Sequence, residues 1–214
     1  MEISWLGHSC FQLRGKNVVL VTDPATPQQE TSTEELSVLS KINASIVTIS
    51  HNHPGHNYVQ GVGGKPRIIR GPGEYEINDV LIIGVPSYHD DQHGKIRGRN
   101  TIYVIHMDDL VICHLGDLGH ILHENQLEEV ADADILLLPI SGDNSINATM
   151  AAEIVSQVEP RVVIPMHYDP AKPAPLDKFC REMGIEAIDP QVKYTVTKNS
   201  LPVSTQVVLL TPRV

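Results

Sequence analysis

Three imidazoles at H-x-H-x-x-H spacing, His51, His53 and His56, lie in the run Ser50-His51-Asn52-His53-Pro54-Gly55-His56-Asn57. They follow directly on Ala44-Ser45-Ile46-Val47-Thr48-Ile49-Ser50, whose apolar and β-branched residues read as a buried strand. The histidines therefore fall where a strand ends and a loop begins. Neutral imidazole suits zinc and iron, and closely spaced donors lower the entropy of assembling a site whose other ligands come from distant segments.

An adventitious cluster would stand alone, but this one does not. Four more segments place His or Asp just after an apolar strand: Val21-Thr22-Asp23-Pro24, Pro86-Ser87-Tyr88-His89-Asp90, Cys113-His114-Leu115-Gly116-Asp117 and Pro165-Met166-His167-Tyr168. Loops at one edge of a layered fold could gather all of them.

The elements that must position these residues change character along the chain. The first third reads as short antiparallel strands, Glu2 to Leu6, Cys10 to Leu13 and Val18 to Thr22, with a helix near Glu34 to Lys41 after a polar loop. Gly71-Pro72-Gly73-Glu74-Tyr75-Glu76 reads as a turn entering a hairpin, and β-rich runs cover Val80 to Val85 and Thr101 to His106. From residue 108, strands at Leu110 to His114, Ile135 to Pro139 and Arg161 to Pro165 alternate with helices at Glu124 to Val130, Ala148 to Val158 and Leu176 to Met183. β character returns at Lys193 to Thr197 and Thr205 to Leu210. Hairpins mixed with helical crossovers predict an α/β fold: an αββα sandwich of two mixed β-sheets with helices on the outer faces.

At 214 residues with 41% apolar content the chain reads as a single domain over 1–214. A formal charge of −10 is the wrong sign for sequence-independent binding to nucleic acid or to an anionic membrane surface. No basic leader and no run of roughly 20 apolar residues is present, so a cytoplasmic location is expected. Cys10, Cys113 and Cys180 form no C-x-x-C pair and read as reduced structural thiols.

In their order along the chain, His51-x-His53-x-x-His56, His89, Gly116-Asp117 and His167 resemble the ligand series of the metallo-β-lactamase fold. Trp5-Leu6-Gly7-His8-Ser9, the His114 to Asp117 run and Pro165-Met166-His167-Tyr168 are most similar to its small ascorbate-6-phosphate-lactonase-like branch. The resemblance spans nearly the whole chain. It implies that His51, His53 and His89 ligate a first metal and His56 and His167 a second, with Asp117 bridging them as the catalytic carboxylate. Asp23 would support the ligands by hydrogen bonding, with His8 and His114 close by in the same outer layer or as ligands themselves. One or two zinc ions are implied, with manganese or iron as substitutes. The activity implied is a metal-dependent hydrolase that opens an ester, lactone or phosphoester through a metal-activated hydroxide.

One position departs from that pattern. The superfamily motif is H-x-H-x-D-H, and Gly55 stands where the Asp should be. The usual carboxylate ligates the second metal, and its loss leaves an extra positive charge on a two-metal cluster. The His₃ set of the first site is untouched and has the ligand count of a catalytic zinc. Asp90 or Asp91 could be recruited instead. Gly55 could also serve a turn needing positive φ or a close backbone approach. Two other readings stay open: a mononuclear iron oxygenase of the same fold, and a non-catalytic metal- or ligand-binding relative.

On the substrate side, Gly94 to Asn100 carries Lys95, Arg97 and Arg99 beside His89 in an otherwise acidic chain. Arg forks bind phosphate and carboxylate bidentately, so Arg97 and Arg99 suit a small anionic metabolite, and Tyr168 could donate to a substrate oxygen. No heptad or apolar stripe identifies a subunit contact, which leaves a homo-oligomer open.

Overall fold

Period-two alternation sorts the apolar side chains of the strands onto two faces in the computed structural model, which describes residues 1–26, 38–186 and 188–213. β1 (Glu2–Trp5), β2 (Phe11–Arg14) and β3 (Val19–Thr22) form an antiparallel meander, and β4 (Ala44–Ile49) and β5 (Gly64–Arg70) extend it in parallel. β12 (Tyr194–Thr195) pairs with the outer side of β1. In the second sheet β6 (Gly73–Ile77), β7 (Val80–Tyr88), β8 (Arg99–Met107) and β9 (Leu110–His114) run antiparallel. They are followed in parallel by β10 (Ile135–Pro139), β11 (Val162–Met166) and β13 (Gln206–Val207).

The main core lies between the sheets, where Trp5, Phe11, Leu13 and Ile46 face Tyr103, Ile105, Leu137 and Ile164. Neighbouring positions point outward. Leu136, Leu138 and Val163 pack under α1 (Glu124–Val130), α2 (Ala148–Val158) and α3 (Ala174–Glu182). Both faces of β10 and β11 are thus covered, which is why these strands read as unbroken apolar runs. Each such side chain contributes about 1.5–3 kcal/mol on burial. Ala151, Ile154, Val155 and Val158 give α2 its buried stripe. Asn147 caps it by accepting from Thr149 N at 3.0 Å and Met150 N at 3.1 Å.

On the outer face of the first sheet, Val21, Val47 and Ile49 pack with Leu39 and Ile42. Residues 38–41 are helical, and the rest of the helix expected from Glu34 lies outside the described residues. Of Gly71 to Glu76, read from sequence as a turn entering a hairpin, residues 73–76 already belong to strand β6, while β5 lies in a stretch to which no strand was assigned. All three cysteines are free. Among the described residues no helix is long and apolar enough to cross a membrane.

The two sheets are laced together beneath the histidine loop. Tyr103 Oη donates to the Ile49 carbonyl at 2.9 Å, and Thr101 N donates to the Ser50 carbonyl at 2.9 Å. Both bonds cross from the second sheet to the end of β4. The loop after β4 therefore starts from a fixed point.

Candidate metal centre

The strand ends converge as the spacing implies. His51, His53 and His56 follow β4, Asp23 follows β3, His89 follows β7, Asp117 follows β9 and His167 follows β11. Ligand atoms of His51, His53 and His89 lie within 4.8 Å of one another, as do those of His8, His56, Asp117 and His167. The carboxylate sits between the two groups. Asp117 Oδ2 is 3.7 Å from His51 Nε2, 3.1 Å from His56 Nε2, 3.3 Å from His89 Nε2 and 3.2 Å from His167 Nε2.

Hydrogen bonds on the far side of the His51, His56 and His167 rings aim their Nε2 atoms inward. Asp23 Oδ2 accepts from His56 Nδ1 at 2.8 Å, and its Oδ1 accepts from Ser50 N at 2.7 Å. Ser50 Oγ donates to Asp23 and accepts from His51 Nδ1 at 2.9 Å. Ser141 Oγ lies 3.0 Å from His167 Nδ1. Such partners fix tautomer and ring orientation. Asp23 therefore acts on two rings at once.

A metal ion fits this donor set on direct structural grounds. His51 Nε2 and both ring nitrogens of His89 are buried yet make no hydrogen bond. The two Nε2 atoms lie 3.7 and 3.3 Å from Asp117 Oδ2 without a hydrogen bond to it. Buried polar atoms rarely go unpaired, and imidazoles pointed at one carboxylate oxygen are what a cation would bind.

Two residues to which the sequence assigned no role build the Asp117 turn. Asn100 Oδ1 accepts from Asp117 N at 3.1 Å, while its Nδ2 donates to Ser87 Oγ at 2.8 Å and to the Leu115 carbonyl at 2.9 Å. Ser9 Oγ donates to Asp117 Oδ1 at 3.3 Å. His114 stands one step back, its Nε2 donating to the Ser9 carbonyl at 2.9 Å. Ser141 was likewise without a sequence signal, since nothing in its spacing ties it to His167.

Three sequence expectations need correction. Asp90 does not face the centre: its carboxylate accepts from the backbone N–H groups of Gln92, Gly94, Ile96 and Arg97 at 2.7–3.0 Å. Burial would raise its pKa, but the four donors outweigh that and hold it at about 2. Asp91 is exposed. Arg97 and Arg99 are exposed too, and neither lines the cavity of about 830 Å³ beside the centre, although Arg97 reaches the carbonyl of Asp143 on its wall at 3.2 Å. Lys172 and Arg213 line that cavity instead, with Trp5, His8, His167 and Tyr168. Tyr168 stacks on Trp5 at 5.1 Å, and burial pushes its hydroxyl up to about 12. His8 is the third: assigned to the outer layer with a ligand role left open, its ring stands among the inner donors.

Packing eight titratable groups together makes the metal-free fold sensitive to pH in both directions. Burial holds His8 and His51 at about 3, so below the ordinary 6.5 the unfolded chain takes up protons that the fold refuses, and stability falls with pH. For His56 burial opposes protonation, but Asp117 and Asp23 overcome it and push the ring up to about 10. Its contribution is complete below about 6.5 and is lost as pH rises toward 10. Each proton is worth about 1.4 kcal/mol per pH unit. Urea unfolding of chelator-treated protein is thus expected to show greatest stability near neutrality, and stability still rising at pH 9 would mean that His56 is not protonated in the fold.

Two mixed sheets with a His and Asp cluster at one edge define a metallo-hydrolase of the metallo-β-lactamase fold. The chain belongs to the β-lactamase superfamily domain family, whose model matches residues 2–167. A solved structure from Thermotoga maritima, described as a candidate Zn-dependent hydrolase of the metallo-β-lactamase superfamily, is 31% identical with a TM-score of 0.78; the match covers 98% of this chain and 97% of that one. Proteins named metal-dependent hydrolase from Pyrococcus horikoshii and Thermococcus onnurineus are 27% and 29% identical, each over 87% of this chain and 94% of its own.

Proposed function

We propose that this protein is a zinc-dependent hydrolase that opens an ester, lactone or phosphoester bond of a small anionic substrate, in the manner of the ascorbate-6-phosphate-lactonase-like branch. The observation that carries the reading is the convergence of His51, His56, His89 and His167 on Asp117, with His53 beside His51 and His89, next to a cavity with two cationic side chains. His51, His53 and His89 would hold one ion, and Asp117 would span to His56 and His167. A bound zinc supplies Lewis acidity and lowers the pKa of water to near 7.

The chain's own groups do the rest. Asp23, Ser50 and Ser141 keep the Nδ1 atoms of His56, His51 and His167 engaged, so the inner nitrogens of these rings stay free to coordinate. Asp117 Oδ2 faces the reacting region and is placed to accept a proton there. Opposed by burial but stabilised by contacts from His167, His56 and His89, its carboxyl stays ionised well below the usual range. Tyr168 keeps its proton at neutral pH and lines the cavity next to His167, so it can donate to a leaving or carbonyl oxygen. Arg213 and Lys172 favour an anion; Lys172 also pairs with Asp169 at 3.5 Å, which leaves Arg213 the stronger anchor.

The test is a panel of small lactones, carboxylic esters and phosphodiesters, neutral and anionic, assayed on protein stripped with chelator and reloaded with zinc. Hydrolysis should depend on metal and favour anionic members. Arg213→Ala should raise KM for those members about 10-fold with kcat little changed, as expected when binding shared by ground and transition states is lost. Metal-independent turnover, or oxygen uptake with iron in place of hydrolysis, would overturn the reading.

A further inference from the structure

Gly55 leaves a space, and His8 fills it. A Cβ added at Gly55 would lie 3.0 Å from His8 Nε2 and 3.2 Å from His8 Cδ2. Gly55 is not at positive φ, so backbone strain does not explain it. The close approach of the His8 ring does. An Asp at position 55 would grow from its Cβ into the volume this imidazole now holds.

The His8 ring is carried on a rigid mount. Its carbonyl accepts from Trp5 Nε1 at 2.9 Å and from His167 N at 3.0 Å. The second bond ties the first hairpin turn to the end of β11. His8 and His167 both adopt left-handed backbone, at φ 53 and 56, a conformation that costs energy and persists where the surroundings over-determine it. The two rings stand 4.1 Å apart between centroids, and His8 to His56 is 4.8 Å. Among the described residues, no hydrogen bond engages the His8 ring. It is an imidazole held among His56, His167 and Asp117 without a hydrogen-bond partner of its own, as a ligand would be.

We propose that His8 replaces the motif carboxylate missing at position 55 and completes, with His56, His167 and Asp117, a second metal site. This inference rests on the metal-hydrolase reading above. The result is a near-symmetric centre in which three imidazoles on each side share Asp117. Replacing a carboxylate with a neutral ring raises the net positive charge and makes the second site richer in nitrogen. Such a site selects zinc, cobalt, nickel or iron over manganese or magnesium, which prefer oxygen.

The test compares the native chain, His8→Asn and the double variant His8→Asn with Gly55→Asp, made without an affinity tag, stripped and reloaded with zinc or cobalt. Asn tolerates the left-handed backbone while removing the imidazole. Elemental analysis and the cobalt visible spectrum give stoichiometry and affinity without any assay of turnover. The native chain should bind two ions. His8→Asn should keep one and bind the second at least about 100-fold more weakly, because changing an outer partner alone costs 10–100-fold. The double variant should regain the second ion through the restored carboxylate. If His8→Asn does not fold, proton NMR of the cobalt-loaded native chain gives the same answer, since the His8 ring protons should show contact shifts only with the second equivalent.

Two ions bound with native affinity in His8→Asn, or unshifted His8 protons, would overturn the assignment. A native chain that takes only one ion would also overturn it, while leaving the hydrolase reading standing. A native chain that takes none after reconstitution would end both.

Discussion

An Asp117→Asn protein is expected to lose more than about 100-fold in kcat/KM and to bind less than one metal ion per chain, while keeping its fold. The reason is geometric. Asp117 Oδ2 has four imidazole Nε2 atoms within 3.1–3.7 Å, and the other carboxylate close to these rings, Asp23, is spent on His56 and Ser50. Asn keeps the shape and the contact with Ser9, but it removes the charge that lets two groups of neutral rings share cations. Changes to outer-layer partners alone cost 10–100-fold, so a shared inner ligand should exceed that range. Elemental analysis and steady-state kinetics on the variant, with exposed Asp91→Asn as the control, check this. Retained metal and rate in Asp117→Asn would remove Asp117 from the centre.

How much of the centre was legible in the sequence follows from how far apart its parts lie along the chain. His51, His53 and His56 share one strand end, so their spacing announces them, and apolar runs before His89, Asp117 and His167 mark three more ends. The role of His8 was not legible, because it depends on the space left by Gly55 on another loop. Neighbourhood along the chain also misleads. Arg97 and Arg99 follow His89 closely, but Asp90 ties the intervening loop through four backbone N–H groups, and the cations that line the cavity come from the far C-terminal part. Asn100 and Ser141 are ordinary polar residues with no pattern around them, and only three-dimensional contact gives them work.

The fold shows the same division. The α2 boundaries were readable because Asn147 caps its start and a Glu159 in left-handed conformation, followed by Pro160, ends it. β10 and β11 were readable as apolar runs between turn signals. β5 was not, because Gly64-Lys65-Pro66-Arg67 is polar, carries a proline, and lies at the open edge of the first sheet with most of its residues exposed. An edge strand with few buried residues shows no alternation to read.

A methyl group at residue 116 tests how tightly the two sheets close over the centre. Gly116 has φ +57, and a Cβ there would stand 2.4 Å from Asn100 Oδ1, 2.6 Å from Ser50 Cβ and 2.8 Å from Ser50 Oγ. The left-handed backbone alone costs an alanine about 1–2 kcal/mol. The overlap is worse, because neither neighbour can retreat cheaply: Asn100 holds Asp117 N, Ser87 and Leu115, and Ser50 holds Asp23 and His51. Gly116→Ala is therefore expected to destabilise the metal-free fold by more than about 3 kcal/mol, within the range that overpacking and backbone strain together produce. Because Ser50 and Asn100 orient ligands on opposite sheets, the same methyl should also weaken metal binding. Gly55→Ala makes the informative contrast, since its Cβ would meet only the edge of the His8 ring, at 3.0 Å. Urea unfolding of both variants after chelation measures the difference. A Gly116→Ala loss below about 1 kcal/mol would mean that the turn carrying Asp117 yields far more easily than its contacts imply.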